Sequence, residues 1–133
     1  MDAAKASASD AIEVAKEDQL KINLFAQKNQ QMVELKDRVS ELEKEAENLK
    51  DAEGSVEESS LLDDDSLFPY QIGEMLVHLN AEDTQKFLQK QREQVTEELK
   101  ELNGQIESIQ RVMSDLKVQL YAKFGDNINL EAD

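Results

Sequence analysis

Cysteine and tryptophan are both missing from this chain of 133 residues, which holds one proline, four glycines and only 5% aromatic residues. Without cysteine there is no disulfide, no thiol nucleophile and no cysteine-ligated zinc. So few bulky rings cannot fill a large globular core, and so little proline and glycine leaves long helices uninterrupted. No apolar run is long enough to span a membrane. The opening residues Met1-Asp2-Ala3-Ala4-Lys5 lack the basic segment and apolar stretch of a secretory leader. The expectation is a cytoplasmic protein with no membrane partner. Basic residues are scarce too: 15 against 30 acidic ones give a formal charge of −15. That field repels a phosphate backbone, so no nucleic-acid partner is expected.

What the chain does have is heptads. Leu88, Val95, Leu99, Leu102, Ile106, Ile109, Met113, Leu116 and Leu120 follow one heptad and then alternate steps of four and three, the seam of a coiled coil. Arg92 alone interrupts them. Upstream, Ile22, Phe25, Asn29 and Met32 have the same spacing, which resumes in a shifted phase at Leu35, Val39, Leu42, Ala46, Leu49 and Val56. The step from Met32 to Leu35 is three where four is due, a stammer that overwinds the pair locally. Asn29 on this seam is either a register device or a tolerated polar residue near a helix end. A narrow seam needs a facing helix, and two runs of similar length supply one within the chain.

The sequence therefore predicts one domain over 1–133 of mainly α class: a long antiparallel coiled-coil helical hairpin with a two-stranded β-hairpin at its base. Residues 1–10, small and polar, read as a tail. Helix 1 is expected over 11–62, the hairpin over 67–79, helix 2 over 81–124 and a C-terminal tail over 125–133. Asn80 suits an N-cap, Glu82 and Asp83 the first turn, Lys123 the last turn, and Gly125 a left-handed C′ position. In the hairpin, Phe68, Tyr70 and Ile72 alternate on one side, and Met75, Val77 and Leu79 do so after the turn at Gly73. Two strands alone are marginal in water and leave both edges open, so pairing with strands of other chains is expected.

Little here could carry chemistry. Asp63-Asp64-Asp65 lacks the spacing of a calcium loop and reads as a polar loop closing helix 1. His78 is the sole histidine, in a strand, with no nucleophile placed beside it. No phosphate loop, nucleophile elbow or spaced carboxylate–histidine motif occurs, so neither an enzyme, a metal nor a cofactor is expected. The termini are more suggestive. Ile12, Val14, Leu20, Ile22 and Phe25 meet Leu120, Tyr121, Phe124, Ile128 and Leu130 where a coiled coil ends. They form an interaction surface, or they staple two helix ends together.

Three stretches give the chain a resemblance: Glu17-Asp18-Gln19-Leu20-Lys21-Ile22-Asn23, Pro69-Tyr70-Gln71-Ile72-Gly73-Glu74, and Leu120-Tyr121-Ala122-Lys123-Phe124-Gly125-Asp126-Asn127-Ile128-Asn129-Leu130-Glu131. Over nearly its full length it resembles the β-type subunits of eukaryotic prefoldin, whose single hairpin it shares. The resemblance implies a heterohexamer of α-type and β-type subunits, with a body of double β-barrel form from which coiled coils hang. It implies an ATP-independent co-chaperone that captures unfolded proteins such as actin and tubulin and passes them to the cytosolic group II chaperonin, using no cofactor. On that pattern Phe68, Tyr70, Ile72, Met75, Val77 and Leu79 form the assembly hairpin. Ile22, Phe25, Leu120, Tyr121, Phe124, Ile128 and Leu130 form the client-binding tip. Ala15 and Lys16 depart from the family, which often has a hydroxyl residue and an aromatic before Glu-Asp-Gln. The usual cap is thereby absent, and helix 1 is expected to begin earlier, near Ser9 or Asp10. Two other functions fit some of the features: a structural coiled-coil tether, and an acidic chaperone for basic proteins. The first leaves the hairpin unexplained, and the second usually places its charge in disordered tails.

Overall fold

The computed structural model describes residues 2–125, 128 and 130, with side chains from Lys16 onward. Helix α1 spans Asp2–Leu62, strands β1 and β2 span Phe68–Ile72 and Met75–Leu79, and helix α2 spans Ala81–Phe124. The mainly helical class with an inserted hairpin is as expected. Helix α1 starts at Asp2, ahead of both expected starting points. Ala3, Ala4, Ala6 and Ala8 are the strongest helix formers available, and no proline or glycine stands in that segment to stop them.

The end signals of α2 work as their chemistry requires. The Asn80 side-chain oxygen accepts the Asp83 N–H at 2.8 Å, and the Asn80 carbonyl accepts the Thr84 N–H at 3.0 Å. Gly125 follows Phe124 with φ +58°, a conformation that L side chains resist. At the end of α1 the Asp63 carboxylate accepts the Asp65 N–H at 3.0 Å, and its carbonyl accepts the Ser66 N–H at 3.2 Å. Asp63 thus closes the helix with an Asx turn.

The chain divides into two compact units, Asp37–Asn103 and Met1–Lys36 with Gly104–Asp133. We call them the hairpin unit and the terminal unit. In the hairpin unit Leu42, Leu49 and Val56 of α1 pack with Leu88 and Val95 of α2, and Phe68 and Tyr70 of β1 join them. In the terminal unit Phe25 packs with Met113 and Leu116, flanked by Met32, Ile109 and Leu130. Every apolar position of the α2 seam is buried or half-buried. So are Met32, Leu35 and Val39, so the three-residue step turns both phases of the α1 seam inward.

Candidate interaction surfaces

The hairpin is antiparallel, with Phe68 opposite Leu79, Tyr70 opposite Val77 and Ile72 opposite Met75. The six residues of the predicted alternation therefore share one face, but they are not equally covered. Phe68, Tyr70, Val77 and Leu79 are half-buried. Tyr70 stacks on Phe87 with ring centroids 5.3 Å apart, and its hydroxyl hydrogen-bonds to the Gln91 side-chain oxygen at 2.9 Å. This part of the face is satisfied within the chain. Ile72 and Met75, near the turn, are exposed, and so is Leu76 on the opposite face. The alternation in the sequence does not mark Leu76, because a period of two assigns it to the solvent side. Leu61, Leu62 and Leu67, flanking the acidic loop, are also exposed.

One polar pair is set into the seam of the hairpin unit. Arg92, the interruption in the α2 heptads, reaches Glu53 of α1 at 3.0 Å. The apolar heptads alone do not mark Glu53, but its spacing does. Four residues beyond Leu49 and three before Val56, it occupies the missing step of its own seam. Both seams thus carry one charge, of opposite sign, and the charges meet. Such pairs fix register at some cost in burial. The Gln85 side-chain amide adds a bond to the Glu53 carbonyl at 2.8 Å. Farther along the same helix pair, Arg38 binds Glu98 of the other helix at 3.2 Å and Glu41 of its own at 3.3 Å. The Glu98 bond first, and the Glu41 bond second, raise the Arg38 guanidinium above its usual pKa.

In the terminal unit the structure sorts the expected tip residues by burial. Phe25 and Leu120 are inside, 7% and 1% exposed. Ile22, Tyr121, Phe124, Ile128 and Leu130 are half-buried. The side chains of Ile12 and Val14, like residues 126, 127, 129 and 131–133, lie outside the described residues. Leu20 and Val118 are largely exposed, and Leu24 and Val33 less so. Leu24, Val33 and Val118 lie off the seam, where a heptad search does not look. Asp18 is buried and holds Lys123 through both carboxylate oxygens, at 3.1 and 3.0 Å. This pair ties the start of the described α1 side chains to the last turn of α2. Beside Phe25 lies a groove of about 260 Å³, lined by Asn29, Met32, Gln110, Met113, Ser114, Lys117 and Leu130. Asn29, ambiguous in the sequence, is half-buried at its wall.

No group of three or more His, Asp or Glu side chains among the described residues is placed to hold a metal ion. None of the helices, over the same residues, is long and apolar enough to cross a membrane. A family model described as "Prefoldin subunit" matches residues 19–127. Prefoldin subunit 4 of Bos taurus is 47% identical over 130 residues, covering 97% of this chain and 95% of its own length. Prefoldin subunit 4 of Homo sapiens is 46% identical over the same length with the same coverage. More distantly, prefoldin subunit 4 of Saccharomyces cerevisiae is 32% identical over 119 residues, 90% of each chain.

Proposed function

Because the chain belongs to the prefoldin subunit family, we propose that it is a β-type subunit of a cytoplasmic heterohexameric co-chaperone, which binds unfolded proteins such as actin and tubulin and transfers them to the group II chaperonin without ATP. Membership itself makes it a prefoldin chaperone subunit, whose partners are other prefoldin subunits. The observation that carries the rest is an unfinished sheet. Among the described residues the two strands pair only with each other, and Ile72, Met75 and Leu76 stand in solvent beside them. A sheet of this size is not stable alone, and open edges invite further strands. The exposed apolar side chains would be covered by the neighbouring subunits.

Client capture is assigned to the terminal unit. Ile22, Tyr121, Phe124 and Ile128 offer part of their apolar surface, and Leu20 and Val118 offer most of theirs. Phe25 and Leu120 act from below, by holding these residues in place. Binding of this kind needs no covalent step, so the chain is read as a binding protein and not as an enzyme. Acidic surroundings, at a net charge of −15, keep such apolar ends from associating with one another. Weak contacts on several subunits then add through effective concentration.

The test is reconstitution with the other subunits and chemically unfolded actin. The assembled complex should suppress aggregation, and Leu20→Ser with Phe124→Ser should weaken suppression partially, because the remaining subunits still bind. Full suppression by the correctly assembled double variant, with several clients, would remove the terminal unit from client binding.

A further inference from the structure

Gly125 takes a left-handed turn, and Leu130 comes back beside the helix it followed. Its N–H donates to the Tyr121 hydroxyl at 3.2 Å, and its side chain packs against the cluster of Phe25, Met113 and Leu116. Leu130 also forms part of the wall of the 260 Å³ groove, together with Asn29, Met32 and Ser114. One residue thus delivers a backbone N–H to a hydroxyl acceptor and an aliphatic side chain to an apolar groove. An extended, non-native polypeptide presents those same two groups at almost every apolar residue.

We infer that Leu130 is a built-in, displaceable occupant of a polypeptide-binding groove, competing with apolar client segments for Tyr121 and the groove floor. The inference deepens the client-binding reading of the terminal unit and rests on it. Three observations favour competition over permanent packing. The attachment is slight: one side chain that is only half-buried, and one hydrogen bond at the long end of the range. The groove also keeps open volume beside Leu130, so it is not sealed by its occupant. Finally, two of the chain's four methionines, Met32 and Met113, line it. Methionine repacks readily around different shapes and suits surfaces that accept many partners. Asn29, Gln110 and Ser114 add side chains able to hydrogen-bond to a peptide backbone. A client would enter as Leu130 leaves, so the groove is apolar-lined yet not left bare when idle.

The experiment measures binding of a fluorescent, proline-free peptide rich in leucine and isoleucine to the complex assembled with its partner subunits. A site occupied by its own strap nine-tenths of the time binds about tenfold more weakly than the free site. Leu130→Ala should therefore tighten binding by roughly 3- to 10-fold, whereas Leu130→Met, which retains a long apolar side chain, should leave it near the wild-type value. Adding Tyr121→Phe to Leu130→Ala should reverse part of the gain, because the peptide loses its acceptor. In the unaltered complex, saturating peptide should abolish the nuclear Overhauser contacts between Leu130 and Met113 methyl groups. Unchanged peptide affinity in Leu130→Ala, with those contacts retained, overturns the strap while client binding stands. Weaker binding makes Leu130 a client contact and also overturns it. If no complex binds the peptide, the wild type included, the client-binding reading fails and the strap with it.

Discussion

The two units are built on the same two helices from different materials. The hairpin unit is packed with Leu42, Leu49, Val56, Leu88 and Val95, branched side chains of few rotamers, and Leu42 is 0% exposed. Its polar contacts across the helices are specific: Arg92 with Glu53, Arg38 with Glu98, Gln85 with the Glu53 carbonyl. The terminal unit keeps branched Ile106, Leu116 and Leu120 on its α2 seam but adds Phe25, Met32 and Met113, and leaves a groove beside Phe25. Among the described residues its one buried charge, Asp18, sits near the end and not in the middle of the seam. The hairpin unit has the features that specify one partner and one register. The terminal unit has those that tolerate variety. On the proposed function, fixed neighbours call for the first set of features and changing clients for the second.

This contrast can be broken by truncating one core residue in each unit. Leu42→Ala removes a fully enclosed side chain, and it is expected to cost about 3 kcal/mol. Met113→Ala opens space next to an existing groove into which Met32 can move, and about 2 kcal/mol is expected. Urea unfolding of the assembled complex, followed by far-ultraviolet circular dichroism, should rank them in that order. Equal costs would mean that the terminal unit is as tightly specified as the other.

The seam ion pair sharpens the comparison further. Arg92→Ala leaves the mostly buried Glu53 without its cation, and should cost about 1–2 kcal/mol, less than for a fully buried pair because Arg92 is 42% exposed. Replacing both partners by leucine should recover that loss, since two matched apolar seam positions need no register pair to be stable. A double-mutant cycle in the same urea titration measures the coupling. Coupling near zero would reduce the pair to an incidental surface contact.

The smallest effect is a gain, and it should be the same in both units. Gly54 and Gly104 lie inside helices, one in each unit, with nothing within 4 Å of an added Cβ. Alanine at either should stabilise by just under ~1 kcal/mol through backbone entropy alone. A loss at either position, in thermal melts of the complex, would reveal a close approach by a neighbouring subunit at that glycine.

Much of this architecture could be read from the residues. Helix α2 matches its predicted span because its signals are local and agree: Asn80 caps it, the seam runs unbroken apart from Arg92, and Gly125 ends it. The alternation of Phe68, Tyr70, Val77 and Leu79 placed them on one face for the same reason. What could not be read depended on partners distant in sequence. Periodicity says that Arg92 breaks a seam but not that Glu53 waits opposite, unless both seams are counted through their gaps. Likewise, a list of apolar residues at the chain ends cannot separate Leu120, which is enclosed, from Leu20, which is exposed. That distinction is set by which side of the helix meets the other. The return of Leu130 to Tyr121 leaves no trace in any local pattern, because a left-handed glycine permits a turn without dictating where the chain goes next.

The division of labour between the units meets its most direct test in native mass spectrometry of the chain co-expressed with other prefoldin subunits. The account predicts a mixed oligomer that loses this chain when Met75→Asp and Leu76→Asp place two carboxylates on the open hairpin, each costly to bury unpaired. It predicts that Leu20→Ser with Phe124→Ser leaves the oligomer's composition unchanged. An oligomer that keeps the hairpin variant, or sheds the terminal one, would contradict it.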